Sequence, residues 1–500
     1  MTNLYEELRA GFASRPAAVF LRLADESIVT FADIDDHSGR LATVLIDAGI
    51  RPGDRLIVQV PKSSAAVALY LAAIRVGAVY VPLNEAYTAD EVSYFLADAE
   101  PTVVVLAPGR DLPAGFDVAL LTLDDSDGGT LADQARGAVP TAELADLGSE
   151  PIAMLYTSGT TGKPKGAMLT TENLASNARA LTDIWGFASD DVLVHALPIF
   201  HVHGLFVALH CALLSGCEVR FLARFDAGIV RGALHGATVM MGVPTFYSRL
   251  LADPDFTSDD CVSMRLFISG SAPLTEAVHQ AFAGRTGHRI LERYGMTETG
   301  MITSNPLHGE RIAGTVGYPL PDVRIRVADE HGAPCAPGEV GVVEVAGPNV
   351  FAGYRGMPDK TAASFRDDGY FITGDLGSIS DDGRLTLSGR GTDLIISGGL
   401  NVYPKEIEMV LDELDGVEES AVIGVLHPDL GDAVVAVLVA DASFDVEAVA
   451  AALDGRLARF KHPKHVAIVD ELPRNAMGKV EKAALRRTYA ALFSPPDSST

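Results

Sequence analysis

Five hundred residues exceed one ordinary core and point to about three domains or subdomains, and 48% hydrophobic with 21% charged residues is the balance of a globular chain. Acidic residues outnumber basic ones by 66 to 39, and the formal charge of −27 argues against general nucleic-acid or membrane-surface binding. An anionic ligand in this acidic background needs a local cluster of Arg and Lys.

The N-terminal stretch MTNLYEELRAGF has early acidic residues and lacks the basic flank and apolar core of a signal peptide. No apolar run reaches the roughly 20 residues that span a bilayer, and the expected compartment is cytoplasmic. From residue 40 to 110 strands alternate with helices: strand Arg55–Val60, Ala-rich helix Ser63–Val76, strand Val79–Pro82, strand Thr102–Leu106. The buried run Ile152–Leu155 opens into a polar, glycine-rich stretch, and a helix follows with Thr171 as N-cap and Glu172 in its first turn. Further strands are predicted at Asp191–His195, Glu218–Leu222, Thr238–Gly242, Arg265–Ser269 and Arg289–Leu291, with helices after His203, from Asp226, near Thr245 and from Leu274. This alternation predicts mostly parallel sheets covered on both faces, with ligands at the carboxyl ends of the strands. Beyond about residue 310 the pattern turns to short β-rich pieces with Gly and Pro turns, a small and mostly antiparallel, barrel-like subdomain. A fresh α+β pattern then runs to about Tyr489, and the tail SPPDSST reads as disordered. Cys211, Cys217, Cys261 and Cys335 show no metal spacing and read as reduced thiols.

The glycine-rich stretch is Tyr156–Gly166, YTSGTTGKPKG, with three Gly, three Thr, one Ser and two Lys in eleven positions. Backbone amides, hydroxyls and ammonium charge in one loop cradle phosphate. It is not a Walker A loop, because only two residues separate Gly159 from Gly162 and Pro164 follows Lys163. LERYGMTET, at Leu291–Thr299, offers an aromatic face at Tyr294, a hydroxyl at Thr297 and a hard oxygen for Mg²⁺ at Glu298. TGD at Thr373–Asp375 supplies one carboxylate for ribose hydroxyls, Arg390 stands at a domain boundary, and Lys479 follows a Gly in PRNAMGKVEK. His201 and His203 in PIFHVHG could suggest metal ligands, but a pocket wall at a helix start is the better reading.

In this order and spacing, the motifs resemble the acyl- and aryl-CoA synthetase superfamily of adenylate-forming enzymes over nearly the whole chain. The resemblance implies an α/β fold: a large N-terminal domain, residues 1–390, of stacked sheets with the β-rich part at about 310–390. It further implies a small mobile α+β domain at 391–490, leaving 491–500 as the tail. It implies two half-reactions, in which a carboxylate and MgATP give an acyl-adenylate and pyrophosphate, and the thiol of coenzyme A then displaces AMP. Carried over, Thr157, Ser158, Gly159, Thr160, Thr161, Gly162, Lys163 and Lys165 would bind the β- and γ-phosphates. Tyr294 would pack on adenine near Gly270, Ser271 and Ala272, with Glu292, Arg293, Gly295 and Met296 alongside. Thr297 would touch the α-phosphate, Glu298 and Thr161 would hold Mg²⁺, and Asp375 and Arg390 would grip the ribose. Lys479 would bridge the carboxylate and the α-phosphate, Ser397, Gly398 and Gly399 would meet coenzyme A, and Thr392 would be the hinge. The family usually has Asp or Lys at that hinge position. Lys479 also invites control by a lysine acetyltransferase and deacetylase, since acetylation removes its charge.

Arg293 selects the acid. A fatty or aryl acid would leave its guanidinium unpaired in an apolar site, whereas a dicarboxylate would pair with it. HALPIFHVHGLF, MGVPTFY, LFISGSAPL and ERYGMTET together resemble malonyl-CoA synthetases in particular. Those usually carry Thr where this chain has Val202, which leaves malonate against methylmalonate open. Arg293, His201, Val202, His203, Met241, Ser271 and Met301 are the expected pocket residues. Ligation of another short mono- or dicarboxylic acid, luciferase-like oxidation of the adenylate, and loading of a carrier protein stay open as alternatives.

Overall fold

A computed structural model describes residues 3–145, 148–158, 164–272, 274, 276–329, 331–390, 395–402, 404–440, 444–473 and 480–494. The chain divides into two compact units. The first comprises Met1–Glu85, Leu96–Tyr156 and Gly166–Gly389; the second comprises Ala86–Phe95, Thr157–Lys165 and Arg390–Thr500.

The first unit is organised by two large sheets. One runs in the order Tyr318–Pro319, Gly300–Ser304, Leu291–Met296, Leu266–Ser269, Val239–Gly242, Val192–His195, Glu218–Phe221, Val19–Leu23, Ile28–Thr30. Its six central strands are parallel, and antiparallel strands finish both edges. The other sheet has seven strands, centred on Val79–Pro82, Arg55–Gln59 and Val103–Leu106. Helix Ser64–Val76 is apolar apart from Arg75 in its last turn and is wholly buried from Ala65 onward. Ser63 caps its first turn by accepting from the Ala66 amide at 3.1 Å, and Gly77, at φ 73°, closes it in the left-handed region that glycine enters freely. The β-rich region forms a four-stranded sheet from Arg324–Ala328, Gly341–Ala346, Phe371–Ile379 and Leu385–Arg390, while Gly353–Tyr354 joins the seven-stranded sheet.

The second unit has a five-stranded sheet built on the long antiparallel ladder Val417–His427 with Gly431–Ala440. Its side chains alternate in the period-two manner of a strand. Val422, Val434, Ala436 and Leu438 pack on one face with Ile407, Leu411 and Leu453. Ala421, Ile423, Val425, Val435 and Val437 pack on the other with Leu472 and Leu485.

Several sequence expectations shift. The helix cap is Thr170, one residue earlier than expected, because Asn173 closes a capping box with it. Lys165 lies on strand Pro164–Thr170, so the loop's end is strand. LERYGM is itself a strand, Leu291–Met296, hairpinned to Gly300–Ser304. Gly295 allows that close pairing, since a Cβ there would stand 2.2 Å from the Gly300 carbonyl oxygen. The helix after His203 opens as a widened π turn, His203–Leu209, before becoming α-helical at His210–Ser215. Among the described residues no helix is long and apolar enough to cross a membrane.

Candidate active site

Three neighbouring parallel strands, Val192–His195, Val239–Gly242 and Leu266–Ser269, end together, and the loops beyond them carry the pocket. Gly270 and Ser271 leave the third strand, with Ser271 in the left-handed region at φ 69°. For a non-glycine residue this is a strained position of the kind that gathers at functional sites. Arg293 comes in from the next strand and is 3% exposed. Its guanidinium lies against Gly270, where a Cβ would stand 2.4 Å from Cζ, so any larger residue would displace it.

Neither Nε nor Nη2 of Arg293 has a hydrogen-bond partner among the described residues. Burial pushes Arg293 down to about 9, which leaves it cationic at neutral pH. Burial, reinforced by that charge, pushes His201 down to about 4 and His203 well below its ordinary range. Both imidazoles are therefore neutral. His203 Nδ1 lies 3.3 Å from the Ser271 hydroxyl, and its buried Nε2 has no partner among the described residues. The result is an enclosed cation with unused donors, bordered by neutral imidazoles and a hydroxyl. Such an arrangement accepts an anion and strands a neutral ligand's apolar atoms against unpaired donors.

On the same hairpin, the Tyr294 hydroxyl donates to Asp375, bringing together the residues expected at adenine and ribose. Glu298 is 6% exposed and accepts from the Tyr354 hydroxyl at 2.9 Å. A single buried carboxylate of this kind suits Mg²⁺, which keeps water and takes its remaining ligands from substrate phosphates. Thr297 is half-buried in the turn that follows the strand. Val202 lines a small cavity with Thr297, Gly300, Asn177 and Asn349, while Met241 and Met301 are fully buried. Glu292 points away from Arg293. One of its oxygens accepts from the Leu274 amide at 3.2 Å and the other has no partner among the described residues. Ala272 is half-buried beside Ser271.

Gly159, Thr160, Thr161, Gly162, Lys163, Thr392 and Lys479 lie outside the described residues, as do the side chains of Ser158 and Arg390. Thr157 is the last residue but one of strand Pro151–Ser158, and Lys165 is buried. Within the second unit Ser397 pairs with Leu400, and Gly398 and Gly399 have φ of 59° and 79°. That pair is a two-residue hairpin turn with both φ positive, the geometry for which glycine is chosen. Sequence reasoning missed Tyr354, Tyr247 and the pair Lys62–His195. Tyr247, on helix Pro244–Ala252, donates to the Ile268 carbonyl at 2.6 Å beside the pocket.

Residues 6–355 match the family described as AMP-binding enzyme, and residues 406–479 match the AMP-binding enzyme C-terminal domain. The chain belongs to the AMP-binding enzymes. It is an acid–thiol ligase of the AMP-forming kind, joining a carboxylic acid to coenzyme A at the expense of ATP, with Mg²⁺. It is similar to ATP-bound MatB from Rhodopseudomonas palustris, at 49% identity and a TM-score of 0.78 over 98% of this chain and 99% of that one. It is also similar to a malonyl-CoA ligase solved with methylmalonyl-CoA and AMP, at 37% identity and a TM-score of 0.82 over 94% of this chain and 100% of the other. A feruloyl-CoA synthase from an Amycolatopsis species is 36% identical over 92% of this chain and 94% of its own. Family membership therefore leaves the acid undecided.

Proposed function

We propose that the acid is malonate, with methylmalonate as the closest alternative. The supporting observation is Arg293, a buried cation with no carboxylate partner among the described residues, whose Nε and Nη2 have no hydrogen-bond partner there. One malonate carboxylate would pair with Arg293, with His203 Nε2 and Ser271 Oγ beside it, and the other would attack the α-phosphate. An aryl acid such as ferulate offers that guanidinium neutral oxygens but no second negative charge. The likeness to the malonyl-CoA ligase points the same way.

A carboxylate approaching a polyphosphate is a weak nucleophile facing like charge, so positioning and fixed positive charge supply nearly all of the acceleration. In this reading Thr157–Lys165 holds the distal phosphates, Tyr294 and Asp375 hold the nucleoside, and Glu298 holds Mg²⁺. Lys479 neutralises charge at the α-phosphate, Thr392 is the hinge, and Ser397–Gly399 meets coenzyme A. A panel of carboxylic acids assayed with ATP and coenzyme A for AMP release tests it. Malonate should give the highest kcat/KM; a monocarboxylate or an aryl acid at the top would reject the reading.

A further inference from the structure

One lysine lies behind the pocket and belongs to none of the motifs. Lys62 stands between strand Arg55–Gln59 and helix Ser64–Val76. Its Nζ is 3.0 Å from the carbonyl oxygen of His195, 2.8 Å from that of Leu197, 2.6 Å from that of Leu222, and 2.8 Å from His195 Nδ1. It also lies 4.3 Å from the centre of the Phe221 ring, a cation–π distance. Burial favours the neutral amine. Three carbonyl oxygens, the His195 ring nitrogen and the Phe221 ring face nevertheless surround Nζ, an acceptor-rich setting that suits the ammonium, whose three N–H groups are shared among the four acceptors.

Lysine has no acceptor in that form, so His195 Nδ1 must present its lone pair to it. The imidazole proton then sits on Nε2, which is 2.9 Å from the Gly204 carbonyl oxygen. The chain of donors runs one way, from Lys62 through His195 to Gly204. Its attachment points bracket one segment: His195 and Leu197 at the start, Gly204 at the end. Between them lie His201, Val202 and His203, and a Cβ on Gly204 would stand 2.0 Å from the Pro198 carbonyl oxygen, so the segment is tightly folded on itself. The widened π turn begins at His203, and such turns recur at functional sites.

We propose that Lys62 is a positioning residue for the acid. Through neutral His195, protonated on Nε2, it clamps the His195–Gly204 segment and so aims His203 at Ser271 and Arg293. This rests on the acid occupying that pocket, whichever acid it is, so the test uses the acid that the wild-type enzyme turns over best. A failed malonate assignment then leaves it untouched.

Lys62→Met should lower kcat/KM for the acid about tenfold to a hundredfold, with a raised acid KM, since a displacement near 1 Å can cost about a hundredfold, while the KM for ATP changes less than about twofold. His195→Gln offers an acceptor to Lys62 and a donor to Gly204, and should keep acid KM near wild type. His195→Leu offers neither and should behave like Lys62→Met. ¹⁵N spectra of histidine-labelled wild-type enzyme, with His195 assigned by its loss in His195→Gln, should show a protonated Nε2 and a bare Nδ1. That measurement stands even if Lys62→Met fails to fold. A wild-type His195 protonated on Nδ1, an unchanged acid KM in Lys62→Met, equal losses for acid and ATP, or equal behaviour of the Gln and Leu variants would each overturn the proposal.

Discussion

A carboxyl group pressed into an apolar wall resists ionisation, and Glu292 is such a group. It is 6% exposed, one oxygen has no partner among the described residues, and burial raises it to about 7 despite the Leu274 amide. The folded state therefore binds its proton more tightly than the unfolded chain, whose glutamates titrate near about 4.3. Stability should be fullest below that value, fall as pH rises toward about 7, and stay reduced above it. Glu292→Gln should remove this slope and gain roughly 3 kcal/mol at pH 8 relative to wild type, read from urea unfolding at pH 4.5 and 8. An unchanged slope would mean that Glu292 is not the group responsible. Arg293 and Tyr294 stood out in the sequence because they sit in a long motif of unusual residue types. Lys62 and His195 did not, because their partners are mainly backbone carbonyls, which carry no signature in a sequence.

At the level of elements, the three strands that end at the pocket are stapled together at their other ends. Asp191 precedes the first, Thr238 the second and Arg265 the third. The Asp191 carboxylate accepts from Arg265 Nε at 2.7 Å and Nη2 at 2.6 Å, from the Thr238 hydroxyl at 2.6 Å and from the Ala188 amide at 2.9 Å. Burial pushes this carboxyl up, but the hydrogen bonds from Arg265 and Thr238 outweigh it and leave it below its ordinary value. Its contribution is thus present above about pH 4 and lost as pH falls through the depressed value. Asp191→Ala should cost roughly 1.5–3 kcal/mol, the range for a hydrogen bond to a charged group, and should lower Tm without altering acid preference. A shift in preference would mean that the staple shapes the pocket as well. Buried parallel strands such as Arg55–Gln59 and Val239–Gly242 were legible because each holds a short apolar run, Leu56–Val58 and Val239–Met241, between helical stretches. Strands Val19–Leu23 and Ile28–Thr30 were not, since they lie at a half-exposed sheet edge with polar residues among them. Pro164–Thr170 was hidden by its Pro and Lys, and Leu291–Met296 by Glu, Arg and Gly.

For the whole molecule, the problem is to draw a small dianion into a protein of formal charge −27. Long-range attraction does not help, so the second carboxylate must be held by a cation already desolvated and aimed. Arg293 is 3% exposed, and two of its nitrogens have no partner among the described residues. The measurement that tests this account most directly is kcat/KM for malonate and for butyrate in wild type and in Arg293→Ala. Breaking a buried ion pair costs about 3–5 kcal/mol, so malonate should lose roughly two to four powers of ten. Butyrate should lose little or gain, and KM for ATP should stay near wild type, inverting the preference between the acids. Equal losses for malonate and butyrate would contradict the account and make Arg293 a structural or nucleotide-binding residue.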